Sequence, residues 1–301
     1  MAPLSPKVVA FDGPWRHQML HTRGIRLHAA TMGEQTGPLV VLLHDALGGW
    51  FNYRPLMDKL ATSGLHVAAL DCRGYGMSDK PPAGYDLHNA TGDIAGAIRT
   101  LGHDRAHVVG VGSGAAIAWA LATSHPGHVA SLITAGAIHP ADMRAAILRA
   151  PWRYVGLLSF TTPMRLPQGL RKLYWVRPAN KIARELRLNT GVKYQGSEAF
   201  NEEVRLRTKA QAIGSTFPGI AKTMRYQVNL PPFGWIQRSV DVPAHVLVNT
   251  SRARLEAKIA RKRAAALHTF SIPDAKQRPH LEAPERFAEA ILSAVSSAER
   301  S

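Results

Sequence analysis

The chain has 301 residues, 46% of them hydrophobic, with 37 Lys and Arg against 21 Asp and Glu, a formal charge of +16. That content sustains one large core with an inserted subdomain, and a single cysteine, Cys72, excludes a disulfide framework and a cysteine metal cage, which fits a reducing cytoplasm. No window approaches the ~18 uninterrupted apolar residues of a membrane span, and residues 1–15 show no secretory signal.

In chain order, Gln18–Thr22 and Ile25–Thr31 read as an antiparallel pair turning at Gly24. Pro38–His44 (PLVVLLH), His66–Asp71 (HVAALD), Ala106–Val111 (AHVVGV) and Val129–Thr134 are short continuous apolar runs, the pattern of parallel strands covered on both faces. Helical periodicity separates them at Tyr53–Ser63, Asp86–Leu101 and Ser113–Ser124. Strand and helix alternating at this spacing predict a mostly parallel sheet with helices on both faces. After His139-Pro140 the pattern becomes helical and proline-punctuated. The alternation resumes at Ala244–Thr250 and Leu267–Ile272 and closes with a helix from Pro284. The expected organisation is a core of residues 1–139 and 241–301 interrupted by a helical cap, 140–240.

Four motifs sit on this frame: His44–Gly49 (HDALGG) after the third strand, Asp71–Asp79 (DCRGYGMSD) after the fourth, Val108–Trp119 (VVGVGSGAAIAW) across the strand-to-helix turn, and Pro279–Phe287 (PHLEAPERF) near the end. In this order and spacing they resemble the α/β-hydrolase fold family from about residue 20 onward. Ile138–Pro140, Phe160–Gln168 and Met224–Gln227 (MRYQ) are similar to the epoxide hydrolase and haloalkane dehalogenase branch.

The resemblance implies a nucleophile on a sharp turn, a histidine base and an orienting carboxylate. None falls where it is expected. The turn reads Gly110-Val111-Gly112-Ser113-Gly114, so Gly112 holds the nucleophile position and has nothing to attack with. Gln277 holds the base position, and an amide accepts no proton near neutral pH. Arg252 holds the acid position and reverses its charge. The family's other acid position, after Val129–Thr134, offers no carboxylate before Asp142. Triad members act as a unit, so the expectation is a pseudoenzyme that binds a protein partner or a hydrophobic small ligand. The alternative is an active epoxide or ester hydrolase built from Ser113, Asp45 and His280. Each of those has a plainer reading: Ser113 begins a helix, Asp45 caps a helix from its loop or pairs with an arginine, and His280 packs. The cap–core pocket is expected to be lined by His44, Asp45, Ala46, Val111, Gly112, Ser113, Tyr154 and Tyr226. Tyr226 falls at the second cap-tyrosine position of the epoxide hydrolases, whereas an ungapped match puts Gly156, not Tyr154, at the first.

Charge is concentrated at 141–210, with fourteen Lys and Arg against five Asp and Glu, interleaved with aromatics such as Trp152 and Trp175. Arg165, Arg171, Lys172 and Arg177 there, with Arg261, Lys262 and Arg263 on a later helix, form a candidate basic surface for an acidic partner or an anionic membrane. Solvated basic faces would look the same. No nucleic-acid recognition motif, cofactor motif or metal-ligand set is present in the sequence.

Overall fold

The β1–β2 hairpin shows how local residues fix the architecture. In the computed structural model, which describes residues 3–300, β1 (Arg16–Thr22) and β2 (Ile25–Met32) pair in antiparallel register around Arg23 and Gly24, whose φ angles are 46° and 77°. Two consecutive positive φ values give the turn whose twist matches the strands it joins.

The other strands are β3 (Leu39–Leu43), β4 (His66–Leu70), β5 (Ala106–Val111), β6 (Val129–Ala135), β7 (Ala244–Leu247) and β8 (Leu267–Phe270). They lie in the order β1-β2-β4-β3-β5-β6-β7-β8, parallel from β4 onward, with β2 antiparallel to β4. β7 and β8 are each shorter at their C-terminal ends than the apolar pattern suggests.

Three helices of the first half are α1 (Arg54–Thr62), α2 (Leu87–Thr100) and α3 (Ser113–Ser124). Between β6 and β7 the chain is helical: α4 (Pro140–Arg149), α5 (Val155–Thr161), α6 (Gln168–Tyr174), α7 (Pro178–Asn189), α8 (Val192–Gln195), α9 (Glu198–Gln211), α10 (Thr216–Thr223) and α11 (Phe233–Ile236). Then follow α12 (Ser251–Ala260), α13 (Pro279–Glu282) and α14 (Pro284–Glu299).

Alternation along β3 divides the core. Leu39, Val41 and Leu43 pack with α2 and α3 residues such as Ile94 and Trp119, whereas Val40 and Leu42 face Leu56 of α1 and Phe287 of α14. Every residue of β3, β4 and β5 is buried, as strands sandwiched between helix layers must be. The N-terminal segment adds a tie that the sequence pattern did not reveal. Trp50 Nε1 donates to the Val9 carbonyl at 2.9 Å, and Leu4 N donates to Ala212 O at 2.8 Å, so residues 4–9 strap core to cap. Among the described residues no helix is long and apolar enough to cross a membrane.

Parallel strands send their loops to one edge. The loops after β3, β5, β7 and β8 therefore converge beneath α4–α11, where open α/β sheets place their sites.

Candidate functional site

The turn between β5 and α3 is sterically determined. A Cβ on Gly114 would meet the Leu43 carbonyl oxygen at 2.1 Å, and one on Gly110 would meet the Gly114 oxygen at 2.6 Å. Between them Gly112 has φ 57° and ψ −117°, a conformation that costs any L side chain about 1–3 kcal/mol. The backbone of a nucleophile elbow is thus formed around a residue with no side chain. Ser113 is fully buried at the first position of α3 and its hydroxyl has no hydrogen-bond partner.

The space above Gly112 is filled. An ideal Cβ there would lie 3.0 Å from Asp45 Cβ and 3.4 Å from both terminal nitrogens of Arg278. Asp45, from the loop after β3, accepts from Arg207 Nη1 and Nη2 at 2.8 and 3.0 Å, and its Oδ2 lies 3.2 Å from Arg278 Nε. Arg207 Nε reaches Glu203 on the same helix, and Glu203 also accepts from Asn52. Arg278 Nη2 donates to Glu185 on α7. The result is a buried chain of alternating charge, Glu203–Arg207–Asp45–Arg278–Glu185, from core loops to cap helices α9 and α7. Burial opposes the Asp45 charge, but Arg207 and Arg278 outweigh it and hold the carboxyl far below the usual carboxylate range. Burial likewise opposes the Arg207 charge, and Asp45 and Glu203 more than offset it. In such an interior a half-satisfied network is costly, so each member depends on the others.

The two other triad positions do meet. Arg252 Nη2 donates to Gln277 Oε1 at 2.5 Å and approaches the Gly136 carbonyl at 3.3 Å. An acid and a base would contact each other there, but here a cation contacts a neutral amide. Glu256 lies 3.1 Å from Arg252 Nε. The later carboxylate, Asp142, is held bidentately by Arg263 at 2.7 and 2.8 Å.

The substitute constellation is not assembled. Both ring nitrogens of His280 lack hydrogen-bond partners, its ring packs on Tyr53 with centroids 5.2 Å apart, and burial lowers its pKa to about 3. Ser113 has no base, and Asp45 is committed to two arginines. His44 is also structural: its Nδ1 donates to the Asp45 carbonyl at 2.7 Å and its Nε2 accepts from Cys72 N at 3.1 Å.

A cavity of 290 Å³ survives beside the ion chain, displaced outward from Gly112. Of the expected lining residues only Asp45 and Ala46 reach it. His44, Val111, Gly112, Ser113, Tyr154 and Tyr226 do not. Tyr154 is fully buried, with the Arg252 guanidinium 5.6 Å from its ring centre, and Tyr226 packs beside Cys72 and Arg73 instead. Gly156, Met224 and Gln227 take their places on the wall, so the sequence located the right segments and the wrong side chains. The degenerate positions Arg252 and Gln277 line the cavity, as does Arg278, which sequence reasoning had not singled out.

On the outside, Arg165, Lys172, Arg177, Arg261 and Lys262 are exposed. Arg263 is not part of that surface: it is nearly buried, and beyond Asp142 it holds the Ile236 and Arg238 carbonyls. Arg171 is half-buried. Among the described residues, no group of three or more His, Cys, Asp or Glu converges to hold a metal ion.

Comparison with known proteins accounts for the frame. The alpha/beta hydrolase fold family matches residues 38–171. The chain is 34% identical over 159 residues to the AB hydrolase superfamily protein YfhM of Bacillus subtilis, covering 52% of this chain and 50% of that one. It is 39% identical over 121 residues to epoxide hydrolase B of Mycobacterium tuberculosis, covering 39% and 34%. The matched stretch thus spans half or less of these curated relatives. Among solved structures, a putative epoxide hydrolase from Pseudomonas aeruginosa superposes with a TM-score of 0.76 over 96% of this chain and 99% of the other at 20% identity. Epoxide hydrolase VrEH1 from Vigna radiata gives 0.75 over 94% and 99% at 18%. The chain has the α/β-hydrolase fold, and over its matched stretch it is similar to members of that family, epoxide hydrolases among them.

Proposed function

We propose that this chain is a non-hydrolytic member of the family that binds a small ligand in the cavity between cap and core. The observation that supports this most is the filled space above Gly112. A nucleophile is absent at the elbow, and the Asp45–Arg278 contact stands where its side chain and the attacked atom would need to be. Arg252 against Gln277 supports it further, since neither supplies a proton acceptor. A cavity of 290 Å³ with a polar and an apolar wall is close to the lower size of ordinary ligand sites, ~300 Å³.

The test is turnover of p-nitrophenyl esters and styrene-oxide-type epoxides. The expected rate equals that of a heat-treated control. Hydrolysis abolished by Ser113→Ala or Asp45→Asn overturns the reading and restores the active-enzyme alternative.

A second reading, action at an anionic membrane surface, rests on the cap exterior. Leu148, Trp152 and Leu173 are 83%, 69% and 69% exposed, beside Arg149, Lys172 and Arg177. Exposed apolar side chains with cationic neighbours are the pattern of interfacial segments. Co-flotation with anionic vesicles that weakens as salt rises is expected, because charges are screened over about 8 Å at physiological ionic strength. Equal binding to neutral and anionic vesicles at every salt concentration contradicts it.

A further inference from the structure

The cavity walls differ in chemistry, and that difference points to a ligand class. Leu157 and Phe160 of α5, Leu188 of α7 and Met224 form an apolar side. Arg153, Arg252, Lys276 and the Gln277 amide form a polar one.

The charges on the polar side are not balanced by the acids that also reach the cavity. Asp45 and Glu185 both contact Arg278, and Asp45 is shared with Arg207. Those carboxylates are therefore spent within the ion chain. Among the described residues, Arg153 and Lys276 have no carboxylate partner. Arg153 Nη1 donates to the Ser251 carbonyl at 3.2 Å, and Lys276 Nζ donates to the Leu188 carbonyl at 2.5 Å. Arg252 has Glu256 at 3.1 Å.

Backbone adds to the same sign. Thr250, the N-cap of the ten-residue helix α12, and its first residues Ser251 and Arg252 line the cavity. The start of a helix presents the positive end of its dipole. The charge reversal at position 252, which disfavours an imidazolium, is what an anion requires. A planar guanidinium is matched to a carboxylate by two parallel hydrogen bonds.

Resting on the ligand-binding reading above, we propose that the cavity takes a carboxylate-headed apolar molecule. The head lies against Arg252 and Lys276 at the start of α12, and the apolar body lies along Leu157, Phe160, Leu188 and Met224. Its volume, about ten times the ≈30 Å³ share of one liquid water, suits a medium-length aliphatic or single-ring body. A neutral ligand would leave Arg153 and Lys276 without an anionic partner, and a cationic one would be repelled.

The experiment is calorimetric titration of the full chain with decanoate, decanol and decyltrimethylammonium, each below its micellar range. Decanoate is expected to bind one-to-one and at least tenfold more tightly than decanol, with the ammonium compound weakest. Arg252→Gln and Lys276→Gln are each expected to weaken decanoate about tenfold and leave decanol unchanged. Lys276 is only half-buried, so its variant serves if Arg252→Gln folds poorly. Leu157→Trp, which fills the apolar side, is expected to abolish both and so separates the cavity from the basic exterior. If decanol binds as tightly as decanoate and is lost in Leu157→Trp, the carboxylate assignment falls and the ligand-binding reading stands. If decanoate binding is unaffected by all three variants, the assignment falls as well. If no probe binds, both fall.

Discussion

Two regions meet at Gly112 and differ in what determines them. The β5–α3 turn is fixed by backbone contact: glycines stand at 110 and 114 because carbonyl oxygens lie 2.6 and 2.1 Å from where a Cβ would be. The loops carrying Asp45 and Arg278 are fixed by side-chain charge, through partners on cap helices α7 and α9. The elbow is therefore a frame set by packing, whereas the space above it is governed by electrostatics.

The largest expected effect breaks the second region. Arg207→Met leaves Glu203 buried without its cation and Asp45 with Arg278 alone, and breaking a buried pair typically costs about 3–5 kcal/mol. The thermal midpoint should fall on the order of 10 °C. Arg207→Met combined with Asp45→Asn should lose less than the sum of the two single changes, as coupling within one network requires. Strict additivity of the two in a melting series would show that the ion chain is not a unit.

Next comes the first region. Gly114→Ala puts a methyl onto the Leu43 oxygen, and overpacking against backbone costs about 1–3 kcal/mol or more. Gly102→Ala is the comparison: it sits at a positive φ, 88°, which Gly114 does not, but nothing lies within 4 Å, so it reads backbone strain without a contact. Urea unfolding should rank Gly114→Ala clearly below Gly102→Ala, and the reverse order would refute the steric account of the elbow.

Acid reads His280, which adjoins the ion chain. Burial lowers the pKa of His280 to about 3, from an ordinary 6.5. The unfolded chain then binds a proton that the folded chain refuses, so stability falls as pH drops below 6.5 and keeps falling to about 3. By pH 5 this one residue forfeits about 2 kcal/mol at 1.36 kcal/mol per pH unit. His280→Phe, which keeps the packing on Tyr53, should flatten melting curves between pH 6.5 and 4.5. An unchanged slope would mean that His280 is not buried neutral.

How much of this was legible in the sequence follows the same division. The β3, β4 and β5 runs and the helices between β6 and β7 were legible because they depend on neighbours in sequence, and the elbow frame because its glycines stand at a fixed local spacing, although the Leu43 oxygen that requires Gly114 lies far off in the chain. The filled site was only half legible. Asp45 and the option that it pairs with an arginine could be read, but its partner Arg207 is 162 residues away, and Arg278 and Glu185 are 93 apart. Nothing local marks such pairs. Tyr154 was placed in the pocket because it is an aromatic near a family position, yet Gly156, two residues on and facing another way along the helix, lines the wall.

A smaller effect sharpens the comparison at its meeting point. Gly112→Asp adds strain of about 1–3 kcal/mol and crowds Asp45 Cβ at 3.0 Å, while the Arg278 guanidinium at 3.4 Å offers its carboxylate a partner. The variant should fold, with a midpoint lower by a few degrees. Failure to fold would mean the filled space tolerates no carboxylate beside Arg278.

The central claim is that no nucleophile is presented above the elbow. Intact-protein mass spectrometry after incubation with a fluorophosphonate and, separately, with styrene oxide tests it directly. An unchanged mass in both is the predicted result, since Ser113 is buried without a base and Asp45 is held by two arginines. A single stoichiometric adduct mapping to Ser113 or Asp45 would contradict it.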